Sequence, residues 1–205
     1  MLKATKVRLY PTTEQAAFLN RQFGAVRFVY NTGLRIMSHR YQRHGQSLSA
    51  KHDIKKLLPV AKTSRQYGWL KEADSMALKQ ACLNLDHAFQ RFFDPQQKAG
   101  YPRFKSKRGK QSSYHCVGVK AGDNWIKVPK LGPIKARMHR RVEGRLKSIT
   151  LTRTVTGKHY ASLLFDTEQA VPAPPKDVDA AKVVGLDMGL SHLAVDSTGR
   201  KIANP

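Results

Sequence analysis

Apolar and polar residues alternate along residues 3–10, KATKVRLY, and this period of two predicts a short β-strand. Pro11 ends the strand, and Thr12 followed by Gln15 fits a capping box, so a helix is expected to begin there. From residue 19 to residue 41 apolar residues recur at spacings of three and four, which predicts about six turns of amphipathic helix. The chain is therefore predicted to open with a strand and a long helix.

Two glycines interrupt this first helical pattern. Gly24 and Gly33 each weaken a helix by roughly 1 kcal/mol, so they mark either a kink or a close approach of another segment. A second, weaker helix is predicted from Ala50 to Leu58, and it is expected to end before Pro59 because proline lacks the backbone donor.

The third helical pattern is the clearest. Asp74 is a candidate N-cap, apolar residues recur at spacings of four and three from Leu78 to Phe92, and Asp94 precedes the proline that ends the pattern. Cys82 lies on the apolar stripe, so we expect it to pack in the core rather than to act as a reactive thiol.

After residue 110 the period changes from helical to alternating. Short apolar runs between residues 117 and 138 are broken by Gly, Asn and Pro, which predicts short strands and turns. Residues 146–166 predict a hairpin that turns near Gly157, and the prolines of AVPAPPKDVD predict a stiff linker. One strand, a helical unit and then several strands indicate the α+β class.

Composition limits the class of function. The 205 residues include 37 Lys and Arg against 14 Asp and Glu, a formal net charge of +23, and the hydrophobic fraction of 40% is too high for a disordered basic tail. No apolar run approaches the roughly 18 residues of a membrane span, and the N-terminus lacks the apolar core of a secretory signal. With two cysteines, neither in a CxxC pair, a soluble cytosolic protein is expected.

The positive charge is concentrated in the middle of the chain. Residues 102–158 carry 16 Lys and Arg against two acids, a charge of +14 in 57 residues, while the other 148 residues carry +9. These basic residues alternate with apolar ones, as on a folded sheet. This favours a phosphate-binding face for nucleic acid, the alternative being a solvated basic surface.

The last segment, KVVGLDMGLSHLAVDSTGRKIANP, contains an isolated carboxylate in an apolar strand. Asp187 lies between Gly185 and Gly189, which would let a substrate or a metal approach it. It is either a catalytic residue or a structural hydrogen-bond acceptor, and the spacing alone does not decide between them. Asp196, which precedes Ser-Thr-Gly, is expected to form a turn.

Several stretches in order resemble the N-terminal half of the TnpB/OrfB family, which insertion sequences encode and which is related to type V CRISPR effectors. The stretches are KVRLYPTTEQ, GAVRFVYN at 24–31, YPRFKSKR at 101–108, VPKLGPIK at 128–135, and VGLDMGLSHLAVDSTG, which resembles the first RuvC motif. The resemblance runs over essentially the whole chain.

The resemblance implies a particular architecture. Residues 1–11 and 111–172 would form a wedge-like β-barrel of OB type, and residues 12–110 an inserted helical recognition lobe. A proline-rich linker would cover 173–181, and residues 182–205 would be the incomplete start of an RNase H-like RuvC domain. Family members are RNA-guided DNA endonucleases, so the implied partners are a guide RNA from the transposon end and double-stranded target DNA.

The resemblance also bears on catalysis. RuvC cleavage uses metal ions, usually Mg²⁺, held by several carboxylates. Asp187 matches the first of these, whereas the later Glu and Asp and the four-cysteine zinc module of the family lie beyond Pro205. We therefore expect Asp187 to bind metal only if a missing segment completed the site, and we expect no cleavage, no well-bound Mg²⁺ and no zinc in this chain.

Three functions remain open: a truncated transposon protein, a cleavage-inactive RNA-guided regulator, and a generic basic RNA-binding protein. For all three we expect no membrane partner and a prokaryotic cytoplasmic location, with association to the nucleoid when DNA is bound. The oligomeric state is unknown from the sequence.

Two sets of residues are candidates for nucleic-acid contact. Phosphate contacts are predicted for Arg27, Arg103, Lys105, Lys107, Arg108, Lys130, Lys135, Arg137, Arg140 and Arg141. Stacking on bases is predicted for Phe104 and Trp125, with core packing as the alternative, and for Tyr30 the helical stripe favours the core.

Overall fold

A strand and a capped helix open the chain, as the alternation and the capping box predict. Strand β1 (Leu2–Tyr10) leads into helix α1 (Thr13–His44). The Gln15 backbone N–H donates to Thr12 Oγ1 at 3.3 Å, and the Thr12 N–H donates to Gln15 Oε1 at 3.1 Å, which satisfies two donors at the helix start. The helix ends at Gly45, whose φ of +64° is the left-handed conformation that favours glycine at this position.

This computed structural model describes residues 1–109, 111–140, 143–171, 173, 179 and 182–204. Within that part of the chain there are two units, Met1–Glu168 and Gln169–Pro205. None of the helices it describes is long and apolar enough to cross a membrane.

The second helix corrects the expectation at Pro59. A π-helical turn (Ala50–Ile54) runs directly into α2 (Lys55–Thr63), so Pro59 lies inside the helix rather than after it. Pro59 is exposed, whereas Ile54 and Leu58 are buried in the same cluster as residues of the third helix. Burial of Ile54 and Leu58 stabilises the helix beyond Pro59. The expectation that proline ends a helix considers the missing backbone donor and not this packing.

The third helix agrees with its prediction at both ends. Helix α3 (Ser75–Phe93) has Asp74 as N-cap, and Asp74 Oδ1 accepts a 3.0 Å bond from the Met76 N–H. Cys82 is 1% exposed, and burial raises the pKa of its thiol to about 11, as expected for a core residue. Short 3₁₀ turns at Gly68–Glu72 and Pro95–Gln97 flank the helix.

Seven strands of the first unit form one antiparallel sheet in the order β2-β6-β7-β1-β5-β4-β3. Besides β1, they are β2 (Gln111–Cys116), β3 (Lys120–Ala121), β4 (Trp125–Lys127), β5 (Ile134–Arg137), β6 (Arg145–Thr154) and β7 (His159–Asp166). The predicted hairpin is confirmed as β6 and β7, with a turn at Gly157. The end strands β2 and β3 do not pair with each other, so the sheet is open across the strands described.

Two apolar clusters share α1 and α3. The first lies between the inner face of the sheet and the start of α1, where Val7, Leu9, Leu19 and Phe23 are at most 3% exposed. The second joins the rest of α1 to α2 and α3, and Val26 packs against both clusters. The sheet and the helices are therefore one packed body, with α1 as the common element.

Gly33 marks a close approach and not a kink. A Cβ at this position would lie 3.0 Å from Leu85 Cδ2 and 3.1 Å from Ile54 Cγ2, whereas one at Gly24 would meet only Arg27 at 4.0 Å. The absence of a side chain at Gly33 lets α1 pack closely against α3 and the π-helical turn.

The second unit contains a small antiparallel sheet in the order β10-β9-β8. Its strands are β8 (Leu186–Asp187), β9 (His192–Asp196) and β10 (Lys201–Ala203). Most of the linker predicted at 173–181 lies outside the described residues. Of its nine residues, the structure describes 173 and 179.

Replacing each helical glycine by valine tests the close approach. We expect Gly33→Val to lower the free energy of unfolding by about 1–3 kcal/mol, because its branched side chain overlaps Leu85 and Ile54. Gly24→Val, the matched control, should stay within about 0.5 kcal/mol of the parent because the space is open. Urea unfolding followed by circular dichroism measures both, and equal midpoints for the two variants would contradict the packing described.

Candidate nucleic-acid interface

Basic and aromatic side chains alternate on the side of the seven-stranded sheet that faces away from its core. We call this surface the outer sheet face. It consists of Lys6, Arg8, Tyr10, Trp125, Lys127, Lys135, Arg137 and Tyr160. The intervening residues Val7 and Leu9 of β1 are buried on the inner face, so the period of two determines which side chains point outward.

The strand register brings these side chains into rows. Tyr10 lies opposite Lys135 on β5, and Lys135 lies opposite Trp125 on β4. Arg8 lies between the rings of Tyr10 and Tyr160, with its guanidinium carbon 5.5 Å and 5.3 Å from the two ring centroids. Cation–π contacts of this kind hold the Arg8 guanidinium against the two rings.

Two pairs of like charges face each other directly across this sheet. Arg8 is the register partner of Arg137, and Lys120 is the partner of Lys127. Like charges directly opposite one another destabilise a sheet. Asp166 lies at the other end of β1 and β7, where it pairs with Lys147 at 3.7 Å. The surface thus carries uncompensated positive charge at some cost in stability.

The segment Tyr101–Arg108 lies across α1 and α3, and we call it the basic strap. At one end the Tyr101 hydroxyl is 2.7 Å from Ser38 Oγ. At the other end Asn31 binds the backbone of Lys105 twice, accepting from its N–H at 2.8 Å and donating to its carbonyl at 3.0 Å. Pro102 is buried between these two points. The strap is therefore fixed to α1 at Asn31 and Ser38, which are seven residues apart along the helix.

The fixed strap exposes its cations. Arg103, Lys105, Lys107 and Arg108 are exposed, and Phe104 is 61% exposed. The Lys105 ammonium nevertheless lies 4.1 Å from the centroid of the Tyr30 ring, and desolvation at this position lowers its pKa. Tyr30 itself is 5% exposed, in agreement with the core position that the helical stripe predicts.

A polar cleft of about 270 Å³ lies between α3, the strap and strands β2 and β6. Gln80 and Asn84 of α3 line it and are joined by a 3.1 Å hydrogen bond. His115 lies on the strand side, 3.3 Å from Thr150 Oγ1, and burial lowers its pKa, which favours the neutral imidazole. Amide and neutral imidazole groups can both donate and accept, which is what contact with base edges requires.

The other predicted phosphate ligands are dispersed. Lys130 has a φ of +62°, and its ammonium donates to the Lys71 carbonyl, so it bridges the β4–β5 loop and the 3₁₀ turn before α3. Arg27 is half-buried on α1, and Arg140 is exposed beyond β5. Arg141 lies outside the described residues. The structure thus groups Lys135 with Arg137, and Arg103 with Lys107 and Arg108, but does not bring all the candidates together.

The two predicted stacking residues lie in different surroundings. Phe104 is largely exposed on the strap, whereas Trp125 is half-buried. The Trp125 indole fills the space that a side chain at Gly122 would need, since a Cβ there would lie 2.5 Å from Nε1. Part of the indole therefore packs against backbone.

Asp187 lies exposed on β8, where it pairs with Val195 of β9. Across the described residues, no three His, Cys, Asp or Glu side chains come close enough to hold a metal ion. The residues described around Asp187 therefore do not fit a metal centre. Asp196 forms the predicted turn, because its Oδ1 accepts from the Thr198 hydroxyl and from the backbone N–H groups of Arg200 and Thr198. These bonds, the hydroxyl bond most of all, lower its pKa.

Several residues of the outer sheet face are missing from the sequence-based candidates. Lys6, Arg8 and Tyr10 occupy the polar positions of the same alternation that predicts β1, and Tyr160 holds the equivalent position on β7. Their period of two is visible in the sequence. Their proximity to β5 depends on the pairing of β1 with β5, which joins residues more than 120 positions apart.

Taken together, the sheet, the strap and the cleft define a basic α+β protein with an extended surface of cations and aromatic rings. The chain belongs to the TnpB/OrfB family of insertion-sequence proteins. Residues 1–46 match the helix-turn-helix domain model of OrfB proteins of the IS605 type. In the structure this segment is one strand and one unbroken helix.

Three curated proteins are similar to this chain. A putative RNA-guided DNA endonuclease, InsQ, of Escherichia coli K12 is 33% identical over 97% of this chain and 48% of its own length. A putative RNA-guided DNA endonuclease of Streptomyces pristinaespiralis is 34% identical over 99% of this chain and 50% of its own length. Virulence protein VsdF of Salmonella dublin is 59% identical over 54% of this chain and 98% of its own length. The chain thus spans about half the length of the two endonuclease relatives.

Removing the Asn31 side chain tests whether it holds the strap. Asn31→Ala deletes both bonds to Lys105, so we expect faster trypsin cleavage after residues 103–108 with little change in the unfolding midpoint. Asn124→Ala, at an exposed position in the turn before β4, is the matched control. Mass spectrometry of timed digests measures the cleavage. Equal rates in both variants would show that the strap does not depend on Asn31.

Proposed function

We propose that this chain binds nucleic acid across the outer sheet face, the basic strap and the polar cleft. The observation that carries the proposal is the two pairs of like-charge partners on the sheet, Arg8 with Arg137 and Lys120 with Lys127, near which aromatic rings lie. A sheet that served only for stability would be expected to place opposite charges at these positions. Phosphate groups would neutralise these charges, while the rings would be available to bases or sugars.

The names of the relatives suggest which nucleic acids are bound. Two of them are named RNA-guided DNA endonucleases, so we propose a guide RNA from the transposon end and double-stranded target DNA as partners. With these partners we also propose a cytoplasmic location, associated with the nucleoid when DNA is bound. The polar cleft would contact base edges, and the strap would hold the adjacent phosphates.

The finer architecture belongs to the same proposal. We take the sheet as a wedge of OB type, the helices as a recognition lobe and strands β8 to β10 as the start of an RNase H-like RuvC domain. The antiparallel order of the seven strands and the helical unit supports this assignment. The position of Asp187 on a strand supports its match to the first RuvC carboxylate.

Charge removal on the sheet separates a binding role from a structural one. We expect Lys127→Gln with Arg137→Gln to leave the free energy of unfolding equal or higher, by up to about 1 kcal/mol, because repulsion across the strands is relieved. The same variant should bind single-stranded RNA and duplex DNA more weakly. Its plot of log affinity against log salt should also be shallower by about two units.

A control with equal charge loss completes the test. Lys56→Gln with Arg65→Gln removes two exposed cations from the helical side and should leave the salt dependence of binding unchanged. Fluorescence anisotropy at several salt concentrations measures binding, and urea unfolding measures stability. If both variants lose affinity equally, binding depends on the total charge and not on the outer sheet face, which would contradict the proposal.

Cleavage is proposed to require carboxylates beyond those described here, since no metal-binding group forms around Asp187 in the described residues. We expect the purified chain to show no Mg²⁺-dependent cleavage of single- or double-stranded DNA, and Asp187→Ala to leave nucleic-acid affinity within about twofold of the parent. A nuclease assay on both proteins measures this. Robust cleavage that Asp187→Ala abolishes would show that the proposal is wrong.

A further inference from the structure

A second surface, away from the sheet, is rich in aromatic rings. A hollow of about 830 Å³ lies beside the C-terminal ends of α1 and α3, and we call it the aromatic hollow. Its rings are those of Tyr41, Phe89, Phe92, Phe93 and Tyr101. The Phe92 ring contacts the Phe93 and Tyr101 rings edge-on, with centroids 5.0 Å and 5.3 Å apart.

The rings are exposed to a degree that core packing does not explain. Phe93 is 71% exposed, Tyr41 is 62% exposed and Tyr101 is 48% exposed. Tyr101 is nevertheless held in place by the Ser38 hydroxyl and by edge contact with Phe89 at 5.6 Å. A cluster of positioned but uncovered aromatic rings marks a binding surface, because each ring has a large apolar area still open to water.

Exposed cations accompany the rings of this hollow. Lys51 lines it, and Arg43, Arg91 and Lys98 are exposed within three residues in sequence of a ring-bearing residue. Within the described part of the chain these four cations form no ion pair. Asp86 also lines the hollow, and its carboxylate and that of Asp94 are hydrogen-bonded within the chain. Asp86 accepts from the Ser49 hydroxyl, the Lys51 N–H and the Gln90 amide, and Asp94 caps the turn that follows α3.

This charge distribution distinguishes between possible occupants. A second copy of the chain would bring another net charge of +23, with the same cations around the same hollow. Duplex nucleic acid supplies phosphates, but its bases are stacked and cannot reach aromatic side chains. A single strand supplies both phosphates for the cations and free base faces for the rings.

We propose that the aromatic hollow binds unpaired bases of a single-stranded nucleic acid, with Phe93 and Tyr41 as the stacking residues. This inference rests on the proposed function, and it adds a single-strand site separate from the outer sheet face. The arrangement is partly preorganised, because Tyr101 and Phe89 fix the ring cluster before the strand arrives.

Substitution at Phe93 tests the stacking. The probe is a 15-nucleotide single strand with a central 2-aminopurine, prepared as RNA and as DNA, and the full chain is used. Phe93→Ala is expected to weaken binding about fivefold or more without changing the salt dependence, and to relieve the quenching of 2-aminopurine fluorescence. Phe93→Trp should restore both, and Val60→Ala, a loss of similarly exposed apolar surface on α2, should alter neither.

The outcomes separate this inference from the proposed function. If the parent binds the strand and Phe93→Ala binds it equally well, the stacking site is wrong while the proposed function stands. If the parent binds no nucleic acid, both fail. Sedimentation that shows a dimer dissociated by Phe93→Ala would make a second copy the occupant and overturn the inference. Weakened binding of either the RNA or the DNA probe, with rescue by tryptophan, supports it.

Discussion

Burial of the inner sheet face beneath α1 is the interaction on which the other features of this protein depend. Leu19 and Phe23 of α1 pack against Val7 and Leu9 of β1, and the Phe23 ring meets Tyr114 of β2 edge-on with centroids 5.4 Å apart. Since successive side chains of a strand point to opposite faces, this burial forces the alternate residues of every strand outward. The basic and aromatic residues of the outer sheet face follow directly from it.

Helix α1 also positions the basic strap and the aromatic hollow. Beyond the sheet, α1 continues along α3, and the absence of a side chain at Gly33 permits the close contact. Asn31 and Ser38 of α1 hold the basic strap by hydrogen bonds to Lys105 and Tyr101. Sheet, strap and aromatic hollow are thus three surfaces of one packed unit, and each combines cations with rings in the way that binding to a flexible polyanion requires.

Local features of the fold could be predicted because they depend on residues close in sequence. The capping box at Thr12, the N-cap at Asp74 and the β6–β7 hairpin all satisfy their backbone groups locally, and each is present. Pro59 shows the limit of such rules, because the burial of Leu58 outweighs the missing hydrogen bond. The candidate nucleic-acid interface is harder to predict from the sequence than these local features. The charge of Lys135 and Arg137 is visible in the sequence, but the partnership with Tyr10 and Arg8 arises from long-range strand pairing.

Cross-linking tests most directly whether the outer sheet face and the strap bind nucleic acid. The full chain would be irradiated with bound RNA or DNA, digested and mapped by mass spectrometry. Cross-links are predicted at Tyr10, Tyr160, Trp125 and Phe104, since these aromatic rings would be in contact with bases. Cross-links confined to α2 and the Gln169–Pro205 unit, with none on these residues, would contradict this prediction.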